Sequence, residues 1–403
     1  MLEAIVFLGA STSGSSQDAI SATRRLGYKT ILMTDRKQRK SNEFYSIDHV
    51  VHMESMEREM IKRKIIEWSD IYAIRLLVSF VEPYVSLAAS LSNEFCRTRI
   101  SWRAMQRMED KIGTRTALLD DPTNCDFTII SNEFIGKLTE QTTLKFPVII
   151  KNPLSTGSKN VYCIENDQDF ELAKKKLSSR FPNQSSIVEE YVEGTQYVIE
   201  VVVCNGKPVI VAVIQQEITK RISFIVTAYN VLVNMEDIMY VELTETIQSI
   251  MKKIGLHHGA CHVEMRYTDK GWRLIEINPR ISGGAMNRMI EESTGINLVE
   301  ETIKLYLGET PNFIRTENRP VYTSYITFTT YGYLLKVKGV KQAESSPGVV
   351  NVHIKPAIGE IVMPAISMGY RYGYVMAVGK TETEAKSRAE QAIRLIKYYI
   401  EPI

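Results

Sequence analysis

Cys261-His262-Val263-Glu264-Met265-Arg266-Tyr267, the turn Thr268-Asp269-Lys270-Gly271, and Trp272-Arg273-Leu274-Ile275-Glu276-Ile277-Asn278-Pro279-Arg280 read as a β-hairpin with acids on both arms. Taking Asp269, Lys270 and Gly271 as a three-residue loop, with Gly271 left-handed, pairs Thr268 with Trp272. Counting outward then sets Glu264 directly opposite Glu276. The two-residue period of a strand puts His262 and Arg266 on the face of Glu264, and Asn278 and Arg280 on the face of Glu276. Like charges facing each other across a hairpin are destabilising, so something positive should lie between them. Two carboxylates and an amide oxygen are hard ligands, suited to Mg²⁺ held jointly with substrate phosphates. The alternative is a solvated face with Arg266 as a neutralising neighbour. Ile281-Ser282-Gly283-Gly284 favours the first reading, because it looks built for close backbone approach to a ligand.

Upstream, Lys151 ends the buried run Phe146-Pro147-Val148-Ile149-Ile150. It is followed by Ser155-Thr156-Gly157-Ser158-Lys159-Asn160, whose backbone N–H groups could fold over phosphates. Lys111 lies in Met108-Glu109-Asp110-Lys111. Alone, either lysine would be read as a surface charge. With the acidic hairpin they give a triphosphate its counter-charges and its metal.

Further out the chain alternates. Ala4 to Leu8 reads as a strand, a helix then carries Ala19, Ala22 and Leu26 and stops at Gly27, and Thr30 to Thr34 is the next strand. A helix around Met60, Ile61, Ile65 and Trp68, a strand from Leu76 to Phe80 and a helix from Val85 to Leu91 continue the pattern, which implies a parallel sheet flanked by helices. The middle holds short β-rich runs at Pro147–Lys151, Val161–Ile164, Ile187–Val192 and Tyr197–Val203, with a polar helix at Asp167–Arg180. An amphipathic helix spans Thr244–Ile254 and stops at Gly255. The last helix opens with a capping box of Thr381 and Glu384 and buries Ala385, Ala389, Ala392, Ile393 and Ile396. No internal repeat or low-complexity linker interrupts the chain.

Composition bounds the function. With 403 residues and a net charge of +2, neither nucleic acid nor an anionic membrane surface is an implied partner. Cys96, Cys125, Cys163, Cys204 and Cys261 have no short paired spacing and read as reduced, mostly buried thiols. The N-terminus lacks a basic region and a long apolar run, and no stretch is long enough to span a membrane, so a cytoplasmic location is expected. Gly9 and Gly14 after the first strand, with Asp35 after the second, invite a dinucleotide reading. That fingerprint needs a glycine where Ser11 stands, and the reading is set aside.

With these elements in order, the sequence resembles the ATP-grasp superfamily over nearly its whole length. The resemblance rests on Asp110-Lys111, the strand-end Lys151 before a glycine loop, Glu189-Glu190-Tyr191-Val192, and Glu264 with Glu276-Ile277-Asn278-Pro279-Arg280. It implies an α/β fold with a Rossmann-like pre-ATP-grasp domain over 1–105 and a small subdomain over 106–193 bearing the ATP lysines and glycine loop. A large subdomain with the metal hairpin would follow over 194–310, and a C-terminal closing α+β subdomain over 311–403.

The resemblance further implies that Lys111, Lys151, Ser155, Gly157 and Ser158 bind ATP phosphates, and that Glu189 to Val192 form the adenine hinge. Gln196 falls where the family places a ribose-binding acid, which is a departure. Glu264, Glu276 and Asn278 would hold one or two Mg²⁺ or Mn²⁺ ions. Arg280 would steady the transferred phosphate or the substrate carboxylate, near Gly283, Gly284 and His262.

Within the superfamily the pattern from Gly259 to Gly284, with Tyr370 to Gly379, looks most like the L-amino acid ligases that form dipeptides. The implied activity is an ADP-forming union of a small-molecule carboxylate with an amine through an acyl phosphate. Carrier-protein thiol loading or a non-catalytic regulator are the alternatives, and a homodimer is left open. Two segments are candidate lids, Ser155–Asn160 and Gln216–Ser223 with Lys220 and Arg221.

Overall fold

A computed structural model describes residues 1–36, 46–131, 137–138, 142–155, 160–220 and 224–403. Gly157, Ser158 and Arg221 therefore lie outside the described residues, as do the rest of 156–159 in one candidate lid and of 221–223 in the other.

Near the N-terminus, β1 (Leu2–Leu8), β2 (Lys29–Thr34), β3 (His49–His52) and β4 (Tyr72–Val78) form a parallel sheet in the order β3-β2-β1-β4. Its strands are continuous apolar runs because both faces are covered. Ala4, Val6, Leu8, Ile31 and Met33 meet the helices Arg58–Ser69 and Val85–Cys96 through Ile61, Ile65, Ala88 and Leu91. On the other face Ile5, Phe7, Leu32 and Leu76 belong to a core that continues into the large sheet described below.

A second sheet, order β5-β8-β6-β7, comprises β5 (Phe127–Ile130), β6 (Val148–Lys151), β7 (Val161–Ile164) and β8 (Ser186–Glu190). The helix Asp167–Arg180 lays Phe170, Ala173 and Leu177 on it and is capped by Asn166, whose side chain accepts from the Asp169 N–H at 2.9 Å.

The large sheet draws on β9 (Thr195–Cys204), β10 (Lys207–Lys220), β11 (Phe224–Val231), β12 (Gly259–Thr268), β13 (Gly271–Asn278), β14 (Val321–Ile326), β16 (Val349–Ile354) and β18 (Gly373–Val378). Its order is β13-β12-β9-β10-β11-β14-β18-β16, while β15 (Gly332–Lys338), β17 (Ile361–Val362) and β19 (Lys397–Pro402) make a small separate sheet. Strands from beyond residue 311 thus extend the sheet that carries the hairpin, through the β11–β14 ladder.

The back of the large sheet is covered by the helix Asp237–Ile254, which buries Leu243, Ile247, Ile250, Met251 and Ile254 and ends at left-handed Gly255. This helix begins well before the Thr244 expected from periodicity. Its first turns expose Ile238 and Val241 and so break the apolar stripe.

At the C-terminus Thr381 caps Glu382–Leu395, accepting from the Glu384 N–H at 3.1 Å. Glu384 reaches back to the Lys380 N–H at 2.6 Å, one residue before the position of a standard capping box. Among the described residues no helix is long and apolar enough to cross a membrane.

Candidate active site

The hairpin of β12 and β13 does oppose Glu264 to Glu276, but by a different route from the turn count. Thr268 pairs with Gly271, so the loop is one residue shorter than expected. Gly271 is left-handed, φ 85°. The register then slips between Glu264 and Met265: Met265 faces Leu274, Glu264 faces Glu276, and Ile275 is left over as a β-bulge. The two offsets cancel.

The bulge has its own anchor. Arg115, in the short helix Lys111–Ala117, donates to the Leu274 carbonyl at 3.0 Å and to the bulged Ile275 carbonyl at 2.9 Å. The same guanidinium donates to Glu189 Oε1 at 2.8 Å, and Lys151 Nζ lies 2.6 Å from Glu189 Oε2. Burial alone would raise the Glu189 carboxyl, but the Arg115 and Lys151 cations hold it down at about 2. Glu189 therefore acts through its side chain, fixing Lys151 at the mouth of β6, while its strand forms a wall of the cleft.

Lys111 completes the charge set, donating to the Ser155 carbonyl at 2.6 Å with its Nζ 3.4 Å from Glu276 Oε1. Burial would raise Glu276, and Lys111 and Lys151 together bring it below its ordinary value. Glu264 is pushed above its ordinary value, first by burial and then by the Glu276 carboxylate beside it. Its counterpart is Gln196, whose Nε2 donates to Glu264 Oε2 at 3.0 Å and whose Oε1 accepts from Arg266 Nε at 3.0 Å. Arg266 thus serves Gln196 and the Val192 carbonyl, not the carboxylate pair.

His262 and Asn278 indicate whether a cation fits here. Burial, helped by Arg280, lowers His262 to about 4, so the ring is neutral and has one donor and one acceptor nitrogen. His262 Nδ1 is 3.0 Å from the Arg280 carbonyl, which can only accept, so Nδ1 carries the proton. Nε2 must then accept, and it lies 3.0 Å from Asn278 Nδ2. This turns the Asn278 oxygen toward Glu276 Oε1 at 3.3 Å and Glu82 Oε1 at 3.2 Å. Among the described residues no three carboxylate, thiol or imidazole groups are placed to hold a metal ion by themselves. Glu264 and Glu276 with the Asn278 amide are two facing carboxylates and an amide oxygen, hard donors of the kind Mg²⁺ shares with substrate phosphates.

Glu82 has no signal in the sequence except its place just beyond the carboxyl end of β4, where ligand-binding residues of parallel sheets gather. It accepts an ion pair from Arg280 Nη2 at 3.0 Å, while Arg280 Nε is buried with no partner among the described residues. Beside it Glu200, fully buried on β9, accepts from the Ser282 N–H at 3.2 Å and shapes the Arg280–Ser282 turn.

Gly283 and Gly284 do approach a backbone closely, but it is that of Gly14. A Cβ on Gly14 would come within 2.5 Å of the Gly284 nitrogen. The small-residue loop after β1 is therefore a packing surface against the Arg280 turn.

A slot between the second sheet and the large sheet is lined by the charged Lys151, Glu264 and Glu276 and by the apolar Ile149, Val161, Ile218, Phe224 and Met368. Glu190, Tyr191 and Val192 form one wall. Tyr191 stacks on Phe224 at 6.2 Å and lies under the Arg266 guanidinium at 5.2 Å. A lining that combines apolar side chains with cations suits a flat aromatic base carrying a charged tail. Cys125, also in the slot, is buried and raised to about 11, which makes it a lining group and no nucleophile.

Glu264→Gln should leave the unliganded protein melting no lower than wild type, because one charge of a repulsive pair is gone. Mg²⁺ and a non-hydrolysable ATP analogue together should raise the melting temperature of wild type by more than their separate shifts sum to. The variant should lose most of that excess. A variant with the full cooperative shift would remove Glu264 from the ligand set.

Two family models match the chain: "ATP-grasp domain" over residues 144–288 and "L-amino acid ligase C-terminal domain 2" over 324–401. Among curated relatives, dapdiamide A synthase of Enterobacter agglomerans is 25% identical over 246 residues, 58% of each chain. The L-arginine-specific L-amino acid ligase of Bacillus subtilis is 21% identical over 323 residues, 78% of each. The chain spans only 54% and 58% of the length of the first two curated relatives it matches. Among solved structures, an L-amino acid ligase from Bacillus licheniformis superposes with a TM-score of 0.84 at 15% identity, covering 100% of this chain and 99% of that one, a likeness of fold.

Proposed function

Because the chain belongs to the ATP-grasp superfamily, we propose that it is an ADP-forming ligase that joins the carboxylate of an amino acid to an amine. The observation that carries this reading is that the charges of Lys111 and Lys151 act together on the facing Glu264–Glu276 pair, which lines an otherwise largely apolar slot, with Arg280 held nearby by Glu82.

In this reading the slot takes the adenine, with Tyr191 and Val192 along its wall. Lys111 and Lys151 neutralise the phosphates. Arg280 holds the donor carboxylate in line with the γ-phosphorus, and an oxygen of that carboxylate attacks it while the bond to ADP breaks. The amine then attacks the acyl carbon, phosphate leaves, and the amine gives up a proton. Such transfers rest on positioning and charge neutralisation more than on covalent chemistry by the protein. Glu264, Glu276 and Asn278 would hold Mg²⁺, which supplies charge neutralisation at the phosphoryl oxygens. Room for the donor is offered by a cavity of about 850 Å³ lined by Glu82, the partner of Arg280, with Pro83, Trp102, Gln106, Glu109 and Asp110. An amino acid as donor and an amine as acceptor are favoured by the match of residues 324–401 to a domain of L-amino acid ligases.

A phosphate-release screen over pairs of L-amino acids, with ADP and AMP separated by chromatography, tests this. ADP and phosphate should form in step with an amide product. Substrate-dependent AMP and pyrophosphate would refute the reading.

A further inference from the structure

Arg371 lies in the connection between β17 and β18, outside every charge cluster described above. Its guanidinium sits 3.9 Å from the ring centroid of Tyr325 and 5.7 Å from that of Tyr229, with Nη1 3.5 Å from the Tyr229 hydroxyl. The groups acting on it are these two tyrosines, and no carboxylate among the described residues pairs with it. A partly buried cation held by two aromatic faces and left without an anion is an expensive arrangement unless a ligand completes it.

Its position says which ligand. Glu264 is paired with Val198, Val198 with Ile214, and Gln216, two residues further along β10, with Tyr229. Period two keeps all of these on one face of the large sheet, so Tyr229 shares the face of the acidic hairpin. The field of Glu264 also reaches Tyr229. In the other direction Tyr325 packs against Tyr374 at 5.7 Å, and Tyr374 feels the charges of Asp18 and Arg288. Asp18 belongs to the N-terminal helix that begins at the Gly14 contact. Arg371 therefore stands over the sheet between the acidic hairpin and the Gly14–Gly284 contact. The phosphates and the donor carboxylate already have Lys111, Lys151 and Arg280.

We propose that Arg371, backed by Tyr229 and Tyr325, is the residue that reads the acceptor, binding the carboxylate of the amino acid whose amine is acylated. The inference rests on the ligase reading and adds to it a residue that no charge cluster of the site includes. It makes Arg371 a specificity residue: an acceptor whose carboxylate is masked loses the charge-assisted bonds to the guanidinium while its amine is unchanged.

The test uses the full chain and the amino-acid pair active in the product screen. Arg371→Met keeps an unbranched apolar stem between the tyrosines. Three reactions are compared: amide formation with the free-acid acceptor, with its primary amide, and hydroxamate formation from the donor with hydroxylamine. Wild type should prefer the free acid. The variant should lose roughly tenfold to a hundredfold in kcat/KM for the free acid, as expected for a bond to a charged group. It should change little with the primary amide or with hydroxylamine. Arg371→Lys should recover part of the preference.

Unchanged preference for the free acid in Arg371→Met overturns the proposal, and so does a parallel loss of all three reactions, which marks a structural role. If wild type gives no hydroxamate with any amino acid, the ligase reading itself falls and takes the proposal with it. Hydroxamate without preference between free acid and primary amide sinks the proposal alone.

Discussion

Glu276→Gln is expected to lower turnover by about 10²–10³-fold while leaving the fold intact. Glu276 faces the cleft from a hairpin whose interior packing is done by Val263, Met265, Leu274 and Ile277, so an isosteric amide leaves that core untouched. What changes is electrostatic. The carboxylate opposes Glu264, sits 3.4 Å from the Lys111 ammonium, and has the Asn278 amide 3.3 Å from one of its oxygens. Removing its charge weakens the hold on a cation and leaves Lys111 without its anion. Circular dichroism and melting should match wild type while steady-state turnover collapses. A variant keeping more than about a tenth of the activity would mean that the pair is not the charge centre.

Arg115→Met should destabilise the protein by about 3–5 kcal/mol, as expected when one partner of a buried ion pair is removed. Arg115 is 2% exposed and fixes three things together: Glu189, the Asn124 side chain, and the carbonyls of Leu274 and bulged Ile275. Without it the buried Glu189 carboxylate keeps only Lys151. The Ile275 carbonyl also loses its donor, and the bulge that sets Glu264 against Glu276 loses its anchor. Chemical denaturation should report the loss, and Mg–nucleotide binding should weaken with it. A loss below about 1 kcal/mol would show that the bulge and Glu189 are satisfied by other groups. Arg115→Lys should not rescue, because one ammonium cannot replace a planar fork that reaches four acceptors.

The sequence was most legible where period and chemistry coincide. The parallel strands near the N-terminus, the helix Asp167–Arg180 and the acidic hairpin can be read because apolar spacing or paired charges mark them locally. The hairpin also shows the limit of counting. A loop one residue shorter and a bulge at Ile275 offset each other, and neither has a local signature, because the bulge is held by Arg115 from a distant segment. The short β3 (His49–His52) and the terminal β19 (Lys397–Pro402) gave too few residues for a period to be read. Glu82 and Arg371 were invisible for another reason. A single charged residue in a loop reads as surface until the fold sets Glu82 on Arg280, or Arg371 over Tyr325. Gln196 stands at the expected position, yet both ends of its amide are committed to Glu264 and Arg266.

The proposed reaction begins when a carboxylate oxygen attacks the γ-phosphorus of ATP. The donor amino acid labelled with ¹⁸O in its carboxylate, turned over with Mg–ATP and an acceptor, should deliver one labelled oxygen to each inorganic phosphate and none to ADP. Mass spectrometry of the released phosphate reads this directly. Phosphate free of label, or label appearing in AMP, would rule out attack of the carboxylate on the γ-phosphorus.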